Sequence, residues 1–184
     1  MTHDAPAEPS VALENQFTVA DIAAILSERG WLDPAHAADP AMQAWFARAA
    51  ELLVPHAADR SALADLLALV FNYDAAALLQ DAANQTLLAR EGARDVIREL
   101  ANRVLDGGDI GSDRFKEIID GMKSAIPYRS RAMFHPVRLA LAGRAGEGEL
   151  DRVILLLDPA AKLDFTAPVK GARQRMLEFC AALD

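Results

Sequence analysis

Apolar side chains return at helical spacing along nearly the whole of this chain, and that period leaves little room for any other architecture. After Ser112, the residues Phe115, Ile118, Ile119, Met122 and Ile126 fall on one face of a helix that Pro127 ends. Behind Asp39-Pro40, an N-cap and first-turn pair, Met42, Phe46, Ala49 and Leu53 form a second such face. Thr18 with Asp21 has the spacing of a capping box and opens a helix to about Arg29. Ser61 is placed to cap a helix carrying Leu63, Leu66, Leu67 and Val70. Ala75–Gln80 reads as a short helix, and a longer one runs from about Thr86 or Ala93 to Leu105. Gly148–Leu157 and Pro168–Leu183 close the series, the latter with Val169, Ala172, Met176 and Phe179 as its stripe.

One segment is ambiguous by period alone. Val137, Leu139 and Leu141 alternate as in a strand, whereas Ala140, Leu141 and Ala142 favour helix and Pro136 suits a first helical turn. No second strand exists to pair with it. The expected fold class is therefore all-α, a helical bundle of two subdomains, residues 18–106 and 112–184, parted by Gly107-Gly108-Asp109. Residues 1–17 are acidic and Pro-containing, with no basic or apolar signal-peptide region, and read as a disordered tail.

Composition narrows the functional classes. A 52% hydrophobic, 25% charged chain of 184 residues is an ordinary globular one. It holds no apolar run long enough to span a membrane. The single cysteine, Cys180, lies beside Phe179 and is expected as a buried thiol; the cytoplasm is the expected compartment. The net charge of −8 opposes indiscriminate nucleic-acid binding. Yet the charge is uneven. Residues 1–113 hold 7 Lys/Arg against 18 Asp/Glu, while residues 114–144 hold 7 against 2. A local basic block in an acidic chain is what a confined RNA contact requires, although solvated and helix-capping arginines produce such blocks too.

No active site assembles from the sequence. His3, His36, His56 and His135 are scattered without metal-ligand spacing, so no metal is expected. Gly107-Gly108-Asp109-Ile110-Gly111 follows no strand and lacks Gly-Lys-Ser/Thr, so it reads as a linker, and no cofactor is expected. Asp113, Glu117 and Asp120 form one polar helical face. The chain reads as a non-enzyme.

The segment Tyr128–Leu150 carries the most specific pattern: Phe134, Pro136, Arg138, Ala140, Leu141, Ala142 and Gly143, then Gly148, Glu149 and Leu150. It resembles the C-terminal anticodon-binding domain of bacterial-type glutamyl-tRNA synthetases, where Phe-x-Pro-x-Arg-x-Ala-Leu-Thr-Gly precedes Gly-Pro-Glu-Leu. Asp59–Leu66, ahead of Phe71, is similar to that family's Arg-x-x-Thr-Leu-x-Glu-Leu segment, and order and spacing agree over about residues 18–160. The chain departs at Ala142 (family threonine), at Glu147-Gly148 (family Gly-Pro) and at Arg129-Ser130-Arg131 (family Gly-Lys-Gly-Lys-like loop). The synthetase catalytic loops are missing; Gly121-Met122-Lys123-Ser124 only superficially resembles one, since Met122 lies on the apolar helical face.

The resemblance implies a superhelical anticodon-binding fold, standing without its catalytic domain, and tRNA as partner through residues 114–144. Stacking on aromatic and guanidinium planes with phosphates on Lys/Arg is the physics of such contacts. The RNA-binding candidates are Lys123, Tyr128, Arg129, Arg131, His135, Arg138 and Arg144, with Arg129 and Arg131 the most exposed by pattern. Arg138 reads alternatively as a buried arginine paired with Glu149 or Glu147, Phe134 as core and His135 as a loop or N-cap residue. Two functions stay open: a tRNA binder assisting or modulating a synthetase, or a protein-interaction or structural module that has kept the fold and lost RNA binding.

Overall fold

A computed structural model describes residues 17–184; the tail expected over residues 1–17 lies outside the described residues except for Phe17. The described chain forms α1 (Val19–Glu28), α2 (Pro40–Leu53), α3 (Arg60–Phe71), α4 (Ala75–Gln80), α5 (Ala82–Leu88), α6 (Ala93–Leu105), α7 (Ser112–Ala125), α8 (Ser130–Ala142), α9 (Glu149–Ala161) and α10 (Ala172–Leu183), with no strand among the described residues. The all-α expectation holds.

Short polar side chains set the starts of α1, α3, α4 and α5. Thr18 and Asp21 form the reciprocal capping box that their spacing announces. Asp74 and Asp81 accept from the amides of Ala77 and Asn84 in the first turns of α4 and α5. At α3 the cap is Asp59, not Ser61: its Oδ1 accepts from the Ala62 amide at 2.7 Å. A carboxylate there also meets the positive helix end, which a serine hydroxyl does less well. Ser112 is the first residue of α7 and Gly111 its cap. Of the two starts expected for the next helix, Ala93 is the one found: α6 runs Ala93–Leu105, while Thr86 lies in α5, beyond the Arg90–Gly92 turn. Pro168 precedes α10 by several residues, because α10 begins where the buried Asp158 accepts from the Ala172 amide at 2.8 Å.

The ambiguous segment is helix, and Pro136 lies inside α8 rather than in its first turn. The alternation misled for a physical reason. Every residue from Pro136 to Ala142 is buried, so this half of α8 is enclosed on all sides and carries no polar face to reveal its period. It packs against α5, α6, α9 and α10, while α9 continues to α2 and α3. The core runs without interruption from Ile22 to Phe179. Ile110, between α6 and α7, is buried and its amide donates to Asp158 Oδ2 at 2.6 Å. An aromatic cluster joins the first helices to the α9–α10 connection: Trp31 stacks on Phe71 at 4.9 Å, and Phe165 meets both Trp45 and Phe71 edge-on.

Arg175 is fully buried with no carboxylate in contact. Its guanidinium donates to the carbonyls of Leu69 and Val70 at the end of α3, of Leu141 at the end of α8, and of Lys170. It also lies 4.5 Å from the Tyr73 ring. One side chain thus satisfies carbonyls that two helix ends leave without partners.

Candidate nucleic-acid interface

The end of α7, the 126–129 loop and the first half of α8 form one corner, and it carries five of the seven candidate residues. The loop is held from within. The Arg129 guanidinium donates to the carbonyls of Ile126 and Tyr128 at 2.6 and 2.7 Å, and also to that of Lys123. It therefore caps the C-terminal end of α7, where the helix dipole favours a cation. One of the two positions expected to be most exposed thus spends its donors on the backbone. Immediately after it, Ser130 has φ 51°, the only non-glycine positive φ among the described residues; a left-handed L-residue costs about 1–2 kcal/mol.

Arg131 stands differently. Its side chain is 76% exposed and its one partner is Glu147 at 3.3 Å, also exposed. Such a pair contributes about 0–1 kcal/mol, so Arg131 exchanges it readily for another anion. Lys123 and Arg144 are exposed, with no ion pair or hydrogen bond from their side chains among the described residues. Arg144 follows Gly143, whose φ of 80° ends α8.

Tyr128 is half-buried. Its ring lies against Gly92, where a Cβ would meet ring carbons at 2.2 Å. Gly92 has φ 81° and caps α6, so this contact joins the loop to the turn ahead of α6. Glycine suits both demands, the left-handed backbone and the absent side chain. His135 is in mid-helix, not in a loop or cap. Its side chain is 20% exposed, its Nε2 is buried without a hydrogen-bond partner, and Glu147 Oε1 lies 4.0 Å away. Phe134 is half-buried rather than fully core.

Arg138 is turned inward. Nε and Nη2 donate to the two Asp151 carboxylate oxygens at 2.8 and 2.9 Å, and Nη1 to the Gly146 carbonyl at 2.8 Å. Its guanidinium lies 4.7 Å from the Phe134 ring. The buried alternative describes it, but the partner is Asp151, in the first turn of α9, instead of Glu147 or Glu149. The geometry is a bidentate fork, which fixes direction as well as distance. Arg138 thereby sets the course of residues 143–148, on which Arg144 and Glu147 sit.

Two departures from the family pattern now have places. Ala142 is fully buried, so the missing threonine hydroxyl is lost from the interior. Gly148 is exposed and caps α9, next to the Glu147 that pairs with Arg131.

Sequence reasoning missed Arg90. With Arg131, Ala132, His135 and Pro136 it lines a cleft of about 110 Å³ between the α5–α6 turn and α8. Arg90 belongs to the acidic part of the chain, and the packing of α5 and α6 on α8, with the Tyr128–Gly92 contact, brings its turn to this corner. Cys180, expected buried, is partly exposed. Among the described residues no group of His, Cys, Asp and Glu could hold a metal, and no helix is long and apolar enough to cross a membrane.

Compared with models of known protein families, residues 18–163 match the anticodon binding domain. No curated protein and no solved structure matches the chain.

Proposed function

This chain belongs to the anticodon binding domain family, and we propose on that ground that it is a non-catalytic tRNA-binding protein related to the glutamyl-tRNA synthetase domain. In this reading it assists or modulates aminoacylation in the cytoplasm, with a synthetase as protein partner. The observation that carries the reading is the α7–α8 corner. Lys123 and Arg131 offer exposed cations there, and Arg144 offers a third beyond the C-terminal end of α8, in a chain whose net charge is −8. Tyr128 and His135 are the stacking partners. Arg129 and Arg138 act indirectly, the first by capping α7 and the second by holding the 143–148 loop.

A small set of exposed cations in an acidic chain is suited to a short stretch of single-stranded RNA and ill-suited to long duplexes, which the acidic remainder repels. The test is a gel-shift titration with bulk tRNA and with duplex DNA of equal length. Micromolar binding to tRNA that duplex DNA does not compete supports the reading. No shift at low salt ends it.

The protein-interaction alternative has one observation in its favour. Leu177 on α10 is 49% exposed, the only large hydrophobic side chain so placed among the described residues. Loss of a captured protein on Leu177→Asp, with tRNA binding absent throughout, would favour that alternative.

A further inference from the structure

We propose that Glu147 is a proton-controlled latch on Arg131. With His135 neutral, the Glu147 carboxylate holds Arg131; with His135 protonated, the carboxylate turns to Nε2 and leaves Arg131 to an RNA phosphate. The inference rests on the tRNA-binding reading and adds how acidity regulates that site. Its ground is one shared atom. Glu147 Oε1 lies 3.3 Å from Arg131 Nη2 and 4.0 Å from His135 Nε2. The two claimants sit one helical turn apart on α8, where such side chains are neighbours.

The present arrangement leaves one claim unmet. His135 Nε2 is buried with no hydrogen-bond partner, whereas buried polar atoms ordinarily have one. Glu147 is about 1 Å too far for a charge-assisted bond, which runs to about 2.7–2.9 Å. Its pair with Arg131 joins two exposed side chains and holds it only weakly. Arg138 anchors the loop at the Gly146 carbonyl, so the movement required is that of the Glu147 side chain.

Histidine is the side chain that ordinarily changes charge between about pH 5 and 8. The charges facing His135 are Arg131 from α8, Arg90 and Glu91 from the α5–α6 turn, and Glu147 from the α8–α9 loop. Among the described residues no charged side chain of α6 lines this cleft. Asp151 of α9 is taken by Arg138, and Arg175 of α10 bonds α8 at the Leu141 carbonyl. Two cations and two carboxylates therefore balance around the imidazole, and Glu147, placed on its unpartnered nitrogen, becomes the acceptor once a proton arrives. The latch uses the edge of the ring, not the face that stacks. Protonation adds a positive charge to the corner and releases the Arg131 guanidinium together.

The experiment has two arms, each run at about pH 8 and about pH 6. Without RNA, the Cζ resonance of Arg131 is followed by carbon-detected NMR. It is expected to move in the unaltered protein as Glu147 leaves, and to stay in place in Glu147→Gln. With bulk tRNA, the unaltered protein is expected to bind about fivefold more tightly at the lower pH, with a salt slope steeper by about 0.7. His135→Gln is expected to keep the weaker affinity at both pH values, and Glu147→Gln the tighter. An Arg131 resonance that does not move in the unaltered protein overturns the latch, whatever the variants do. So does a Glu147→Gln protein that keeps the parent's pH dependence of tRNA affinity. A resonance that moves while no tRNA binds at either pH supports the latch and ends the tRNA-binding reading instead.

Discussion

The Tyr128 ring rests on Gly92 with no room for a Cβ between them: one would stand 2.2 Å from the ring carbons. This contact joins two parts of the chain that the sequence separates by 36 residues and opposite charge. It holds the α7–α8 corner against the start of α6 and brings Arg90 to the same cleft as Arg131.

Gly92→Ala is therefore expected to be disproportionately harmful. A left-handed alanine and a displaced ring together cost about 2–4 kcal/mol. Urea unfolding measures it, and an unaltered midpoint would show that the contact does not form.

Arg138 and Asp151 form a clamp between α8 and α9, with side chains 9% and 23% exposed. Asp151→Ala strands the guanidinium and is expected to cost about 2–4 kcal/mol. Replacing both, Arg138→Met with Asp151→Leu, is expected to cost less than Asp151→Ala alone, because no charge is left buried. A double-mutant cycle by chemical denaturation decides; additive costs contradict a direct pair.

Arg175 is the interior counterpart. Arg175→Met leaves four carbonyls without their donor and is expected to cost about 3–5 kcal/mol. Arg175→Lys is expected to be nearly as damaging, since a single ammonium cannot reproduce the planar fork. Thermal unfolding of the two variants compares them; a lysine variant as stable as the parent contradicts the fork. Burial holds the Arg175 guanidinium at a pKa of about 10, below its ordinary value, and it remains charged at neutral pH.

How much of this was legible in sequence depended on whether a helix kept a polar face. α1, α2 and α7 did, and their periods read directly, as did the cap positions of α1 and α2. α8 did not, so its apolar run from Pro136 to Ala142 passed for a possible strand. Arg175 carried a signal that was available: it sits at helical spacing between Ala172 and Phe179, inside an apolar stripe, where a charge needs a buried partner. Arg90 carried none. Its place at the corner depends on α5 and α6 packing against α8 and on a ring packing onto a glycine, tertiary contacts that no local pattern encodes.

Acid should destabilise the fold from one side only. The Glu178 carboxyl is held below its ordinary 4.5, first by its bond to Lys170, and Asp21 below its ordinary 3.8 by the capping bonds with Thr18. Both lowered values make the unfolded chain the better proton binder, so this stability is complete above about pH 4.5 and is lost as pH falls through the folded-state values. Glu178→Gln is expected to flatten the acid limb of a stability–pH curve. An identical limb in the variant would remove Glu178 from the balance.

RNA binding by Lys123, Arg131 and Arg144 is tested most directly by the salt dependence of tRNA affinity. Each phosphate contact on single-stranded RNA contributes about 0.7 to the slope of log affinity against log salt. Lys123→Ala, Arg131→Ala and Arg144→Ala combined are expected to reduce that slope by about 2 and to weaken binding at low salt. A triple variant that binds tRNA with the slope and affinity of the parent would contradict it.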